Sequence, residues 1–300
     1  IRQVQVVAGS KKIPVIPWPN DMAYRMVMRK EFDHFLAEKA REAGATLKDK
    51  IPVSTIVKDN KGIVRGVRTS RGEFKAKIVI GCDGASSVVA RTSGLWEKWW
   101  GHRDKTKGWR QHQAFCLETQ MRLDPKVIED RVGETMTLLF EKSFNGYYWI
   151  FPKREVLTVD LASFSSLESV GELKERFRKL VHDHPVASEL LHGARVGRLR
   201  GAYLPIRGPL SPSYDDAIMV AGDSVAQVGA VWGEGIYFAV RAGIAAGETA
   251  VQAINGGDTS KHFLEKYEER WRREIGENLE IQARILGEAK TPLQATITFT

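Results

Sequence analysis

The sequence predicts a mixed α+β and α/β chain, in which a parallel strand–turn–helix part is interleaved with an antiparallel sheet and followed by a helical C-terminus. Three observations lead there. AIMVAGD (217–223) is apolar almost throughout, as a strand buried on both faces is, and a glycine-rich turn carries it into a long helix from about Glu234 to Ile254. Residues 113–165 read as successive strands, AFCLETQMRL, ETMTLLFEK, YYWIFP and VLTVDLASF. HFLEKYEERWRREIGENLEIQARILGEA, near the end, is helical and strongly charged. Helix, meander, antiparallel block and then strand–turn–helix is an order whose first and last thirds share a layer.

The elements follow in order. VQVV (4–7) is a strand, and Pro14, Pro17 and Pro19 break the chain after it. Met28, Phe32, Phe35, Leu36, Ala40 and Ala43 recur at helical spacing, with Gly44 as the stop. Residues 51–80 form a meander separated by Lys-Gly and Arg-Gly turns. WEKWWGHRDKTKGWRQH (96–112) is basic and aromatic without a clear period, which predicts a solvated loop. An amphipathic helix spans about 170–182, and His184-Pro185 opens another short one.

Hydrophobic residues make up 43% of the 300 and charged residues 27%, a globular composition and not a disordered one. Lys and Arg total 45 against 37 acids, a net +8 that suits nucleotide phosphates, an anionic membrane surface or nucleic acid without choosing among them. Cys82 and Cys116 form no C-x-x-C pair, which excludes a disulfide scaffold and a thiolate metal cluster and fits a reducing compartment. No uninterrupted apolar run is long enough to span a membrane. His182 and His184 lack a third metal ligand at sensible spacing, so they read as helix-end residues and no metal site is expected. Ser224 is not in a G-x-S-x-G elbow, so an esterase is excluded.

Two segments carry chemistry. In residues 217–250 a buried strand ends at Gly222-Asp223, and a loop with Gly229, Gly233 and Gly235 opens a helix at Ile236. A helix start presents unpaired N–H groups and the positive end of the dipole, which favour a phosphate or a developing anion. Gly233 and Gly235 let backbone approach a flat ligand, and Ala239, Gly243 and Gly247 share a face suited to tight packing on a sheet. In residues 78–91 a second strand ends in Asp83-Gly84, followed by Ser87 and Arg91. Two such strand ends would converge at the carboxyl edge of one sheet, where ligands bind in α/β folds. The same spacings also suit an ordinary strand–turn–helix and unrelated Asp-Gly turns.

Together these residues resemble the FAD-dependent flavoproteins of the p-hydroxybenzoate hydroxylase fold, and within them the geranylgeranyl reductase branch. Arg29, Phe32, Asp33 and Leu36 match an Arg-x-x-Phe-Asp-x-x-Leu helix; Asp83, Gly84, Ser87 and Arg91 match the Asp-Gly motif; Gly222 and Asp223 match the Gly-Asp motif, which runs on into GEGIYFAVRAG. Tyr147, Trp149, Phe151 and Pro152 match the branch's Tyr-x-Trp-x-Phe-Pro motif, whose alternating aromatics make an apolar wall; the same alternation would serve an ordinary core. Two departures stand out: Asp160-Leu161-Ala162 where the branch shows Gly-x-Gly, and Gly222-Asp223-Ser224-Val225-Ala226 for Gly-Asp-Ala-Ala-Gly. The family's G-x-G-x-x-G turn has no counterpart, so the sequence is expected to begin some tens of residues into the family pattern, as a fragment.

The resemblance implies a Rossmann-like FAD-binding domain without its first βαβ unit (1–100 and 206–255), an antiparallel substrate domain (101–205) and a helical segment (256–300). Arg29, Asp83, Gly84, Gly222, Asp223, Gly233, Gly235 and Ile236 are the implied FAD contacts; Tyr147, Trp149, Phe151 and Pro152 are the implied substrate wall. The implied activity is reduction of C=C bonds in a prenyl lipid, with electrons from NAD(P)H or ferredoxin; no proton donor is identifiable. Such a protein would be cytoplasmic, peripheral at the inner membrane surface, and would not bind nucleic acid. Charge reversal at Arg103, Lys105 and Lys107 is then expected to abolish liposome binding. Two rivals remain: an FAD-dependent monooxygenase using NAD(P)H and oxygen on an aromatic or quinone-like substrate, and a non-catalytic basic module binding lipid or nucleic acid.

Overall fold

Val4, Val6 and Val7 are buried in strand β1 (Gln3–Ala8), which bends back through the short β2 (Lys11–Lys12) and β3 (Ile16–Pro17). The computed structural model describes residues 1–17, 24–101, 105–164 and 168–299; Arg103 lies outside them, as do the side chains of Lys105 and Lys107. Helix α1 (Arg29–Glu42) begins after Met28, and Gly44 takes the left-handed conformation just past its end, as its spacing predicts. The meander is β4 (Val53–Lys58), β5 (Val64–Thr69) and β6 (Gly72–Lys75), an antiparallel sheet of its own. The last part of the expected meander, β7 (Val79–Gly81), leaves it for another sheet.

Three short helices follow: α2 (Val88–Ser93), α3 (Leu95–Trp100) and α4 (Lys105–Gln111). The expected loop at 96–112 is therefore corrected: two short helices carry the tryptophans inward, and each is too short to show a period. Trp109 is buried, lying 5.7 Å from Trp96 and stacked on His112. The antiparallel block is β8 (Gln113–Arg122), β9 (Thr135–Phe140), β10 (Gly146–Pro152) and β11 (Val156–Ser163). One helix, α5 (Pro125–Arg131), interrupts it, started by Pro125 at the first position and an Asp124 side chain that accepts from Lys126 N–H.

Helix α6 (Val170–Asp183) opens with a Ser169–Glu172 capping box. In α7 (Pro185–Leu190), His184 is the N-cap, accepting from Ala187 N–H while its Nε2 contacts the Gly9 carbonyl. After β12 (Arg195–Val196), β13 (Arg200–Pro205), β14 (Tyr214–Asp215) and β15 (Ile218–Val220) come α8 (Ile236–Gly256), α9 (Lys261–Trp271), α10 (Glu277–Glu288) and α11 (Pro292–Phe299). A π-helical stretch, Arg272–Gly276, lies between α9 and α10.

The chain groups into two units, one of residues 1–48, 114–202 and 291–293, the other of 49–113, 203–290 and 294–300. The sequence division set 1–48 with the cofactor half. They group with the antiparallel block because β1 pairs in parallel with β9 along its whole length. Residues 256–290, expected as a separate helical segment, group with the second unit: Leu264, Tyr267, Trp271, Ile275 and Leu279 share a core with Phe238 and Ala242 of α8.

In the first unit the described strands run β12-β8-β11-β10-β9-β1-β2, with β13 on β8 and β3 on β1. Leu117, Met121, Tyr148, Ile150, Leu157, Val159 and Leu161 point to one face, where Leu173, Phe177 and Leu180 of α6 cover them. In the second unit the order is β14-β15-β7, with β15 and β7 parallel.

The buried Glu268 ties the second unit's helices to the segment before β14. It accepts from Ser211 Oγ at 2.6 Å, Ser213 N–H at 2.7 Å and Arg272 Nε at 2.9 Å. Glu268→Ala strands these donors and the Arg272 charge; since that arginine is about one-third exposed, the expected loss is about 2–3 kcal/mol by urea denaturation.

Candidate functional site

Parallel pairing of Ile218 with Val79 and Val220 with Gly81 brings the two acid–glycine ends side by side at one carboxyl edge. They are joined there: Ala221 N–H donates to the Gly81 carbonyl, and Gly84 N–H to Ser224 Oγ at 3.0 Å. Asp83 accepts from Ser87 Oγ and from Val88 and Val89 N–H at 2.6 and 3.1 Å, so its carboxylate closes the start of α2. Ser87 Oγ in turn accepts from Ala90 N–H, and Arg91 Nε donates to the Ser87 carbonyl. Gly84 sits at φ +80°, a conformation that disfavours a side chain.

The other strand end is braced from behind. Gly222 N–H donates to Gln227 Oε1 at 2.7 Å, and Tyr267 OH donates to the Val220 carbonyl at 2.8 Å. Asp223 lies in the 3₁₀ turn Gly222–Val225, and a Cβ on Gly235 would come 3.3 Å from its Oδ1. Helix α8, 21 residues long, starts at Ile236 with Gly235 as an N-cap that supplies no side-chain bond. Its first N–H groups, the φ +69° turn at Gly233 and the small Gly235 beside Asp223 thus form a cradle that a side chain would fill. Polar backbone donors at a dipole's positive end, next to a carboxylate that can take hydroxyls, fit a flat group carrying phosphate and polyol.

Glu234, within this loop, was not singled out by sequence. Its carboxyl is buried beside Gly229, Gln282 Nε2 donates to it at 2.8 Å, and Gln282 Oε1 takes the Val231 N–H. Burial pushes its pKa up, opposed by the Gln282 hydrogen bond. The expected packing of Gly243 and Gly247 on a sheet is corrected, since neither meets a neighbour where a Cβ would stand. The buried side of α8 carries Phe238, Ala242, Ala245, Ala246, Thr249 and Ala253; glycine spacing marks a face without marking which way it turns.

In the first unit, the sheet face opposite the helices holds the aromatic motif. Register sets Tyr147, Trp149 and Phe151 of β10 beside Ala162, Asp160 and Thr158 of β11, and these beside Cys116, Glu118 and Gln120 of β8. Ring centroids step 5.3 Å from Tyr147 to Trp149 and 6.2 Å to Phe151, with Phe140 5.5 Å from Tyr147. Tyr147 and Pro152 are buried, while Trp149 and Phe151 are half-buried. Arg29, at the start of α1, forms a bidentate pair with Asp33 at 3.0 Å.

Asp160 is the group the sequence noted only as a departure from Gly-x-Gly. It is 3% exposed, stands opposite Trp149 in the β10–β11 register, and its Oδ1 has no hydrogen-bond partner. Burial first, and then the nearby Glu118, hold its pKa well above the usual carboxylate range, against the pull of Lys153. It is a buried carboxyl group beside the aromatic strip, in surroundings that favour its protonated form. Lys153 is itself shifted down by burial.

The sequence profile of the FAD binding domain family matches residues 20–283. The digeranylgeranylglycerophospholipid reductase of Methanocaldococcus jannaschii is 30% identical over 260 residues, which cover 85% of this chain and 62% of that protein. That of Methanothrix thermoacetophila is 33% identical over 256 residues, covering 84% and 61%. The chain thus spans 61–62% of the length of these relatives. The crystal structure of a geranylgeranyl bacteriochlorophyll reductase-like protein from Thermoplasma acidophilum matches it with a TM-score of 0.78 over 99% of this chain and 74% of its own, at 21% identity, a likeness of fold. The chain belongs to the FAD binding domain family, with the mixed α/β fold of geranylgeranyl reductase-like flavoproteins.

Proposed function

We propose that the protein is an FAD-dependent oxidoreductase that reduces C=C bonds in the prenyl chain of a lipid. The observation that carries this reading is the strip Tyr147, Trp149 and Phe151 with the buried carboxyl of Asp160 opposite Trp149: an apolar wall for a polyisoprenoid, with a carboxyl group beside it. The names of the curated relatives point to the same substrate class.

The cofactor contacts are assigned to Gly222, Asp223, Gly233, Gly235 and Ile236, with Asp83 and Gly84 holding the strand end. When bound and reduced, FAD supplies the hydride that adds to one alkene carbon. The chain's own residues do the rest. The start of α8 stabilises negative charge, the aromatics hold the alkene away from water, and Asp160 gives its proton to the other carbon. Asp160 is left as a carboxylate and takes a proton from solvent before the next turnover. Electrons from NAD(P)H or ferredoxin and peripheral association with a membrane go with this reading; among the described residues no helix is long and apolar enough to cross a bilayer.

Binding of a geranylgeranyl lipid tests the wall. It is expected to quench the fluorescence of Trp149 in the intact protein, and Trp149→Phe should keep the affinity within threefold while losing the quench. Phe151→Ala, which removes a large apolar contact, should raise KM about tenfold with kcat little changed. Undiminished affinity in Phe151→Ala together with an unquenched wild type would place the lipid elsewhere.

A further inference from the structure

Arg122 at the end of β8 and Arg195 on β12 stand directly opposite each other in an antiparallel pair. Like charges so placed repel, and a fold normally sets a carboxylate between them. Here neither arginine side chain has an ion pair or hydrogen bond among the described residues, and the same holds for the side chains of Arg154, Arg198 and Arg200. Elsewhere on this chain arginines settle against acids, as in Arg65–Asp59, Arg68–Glu73, Arg176–Glu168 and Arg178–Glu175.

The five unpaired arginines line one open cavity of ≈ 610 Å³. Glu31, Glu118 and Glu155 also line it, and none of these is ion-paired with them, so positive charge is in excess. The backbone is shaped for this gathering. A Cβ at Gly197 would run into the Gln120 carbonyl, so glycine there lets Arg195 to Arg198 lie flat against β8. The cavity also lies on the face that carries the aromatic strip. Going across the sheet at one level, Phe151 is followed by Thr158 on β11 and then Gln120 on β8, about 10 Å away in two strand steps, with Arg122 two residues on. One sheet face thus passes from aromatic, through the strand of Asp160, to arginine.

We propose that this cavity binds the phosphate-bearing head of an amphiphilic substrate whose prenyl tail lies along Tyr147, Trp149 and Phe151. Guanidinium groups meet phosphate oxygens in pairs, and an anion between Arg122 and Arg195 removes their repulsion. The glutamates accept from hydroxyl or ammonium groups of the same head. This assignment rests on the prenyl-lipid reading for the tail and on the arginines for the head.

The test uses the intact, FAD-loaded protein and three probes: geranylgeranyl diphosphate, geranylgeraniol and inorganic pyrophosphate. Titration calorimetry is expected to show the diphosphate binding at least 30-fold more tightly than the alcohol. Arg122→Gln/Arg195→Gln should remove that advantage and leave the alcohol within twofold. Because this variant removes a repulsion, it should melt no lower than the wild type without ligand, which separates lost binding from lost folding. Equal affinities for diphosphate and alcohol, or an unchanged diphosphate affinity in the variant, would overturn the head site. Pyrophosphate alone binding as tightly as the prenyl diphosphate would overturn the lipid source and assign the cavity to a free phosphate compound. If neither prenyl compound binds, the prenyl reading fails; a melting shift by pyrophosphate that is lost in the variant would still support the anion site, and no shift would sink it too.

Discussion

Asp160→Asn is expected to cut turnover about 10²–10⁴-fold while the protein still folds and still binds its lipid, because the amide keeps the shape and has no proton to give. The side chain is buried on β11 and its protonated form is favoured there, a form whose shape the amide copies. The cost should stay within about 1–2 kcal/mol, set by an amide N–H facing the place where Oδ1 now lacks a partner. The pH dependence separates this role from a packing role. The folded pKa lies above the reference value of 3.8, so the folded state holds more protons than the unfolded one over that interval. Its contribution to stability is complete below about 3.8 and is lost as pH rises through the raised folded pKa. Asp160→Asn should flatten that fall, seen as a smaller drop in urea midpoint as pH rises above the reference value of 3.8. In the wild type kcat should fall over the same limb, since the acid must be protonated to act. A variant that turns over normally at every pH would remove Asp160 from the chemistry.

Gly235→Val is expected to weaken FAD binding by about 10²-fold, some 2.7 kcal/mol, with a much smaller change in melting temperature of the protein stripped of cofactor. The first added carbon already lies 3.3 Å from Asp223 Oδ1, and the branched methyls would occupy the approach to the first turn of α8. Gly243→Val, on the same helix where a Cβ meets nothing, is the control and should retain its flavin colour. Equal retention of FAD in both would mean that the cradle at Gly233 and Gly235 is not where the cofactor sits.

The strand ends at Asp83 and Asp223 were legible because buried parallel strands are continuous in apolar residues. Tyr147, Trp149 and Phe151 were legible because period-two spacing places them on one face. Asp160 was visible only as a departure from a pattern, since burial on all sides is a property of neighbours on β8 and β10 and not of its own segment. The arginine cavity was hidden for a related reason: Arg122 and Arg195 become opposite only when β12 pairs with the end of β8. The helices at 95–111 were missed because two turns of helix are too short for a period to show. The open side of α8 was misjudged because the spacing of Ala239, Gly243 and Gly247 defines a stripe without saying what faces it.

The most direct measurement is an anaerobic single turnover with the flavin of the intact protein reduced beforehand and a geranylgeranyl lipid added. The prediction is that the yellow flavin absorbance returns on adding the lipid and that each reduced double bond gains two hydrogens by mass spectrometry. If the absorbance stays bleached until oxygen is admitted, and the product then carries an added oxygen, the protein is a monooxygenase and not a reductase.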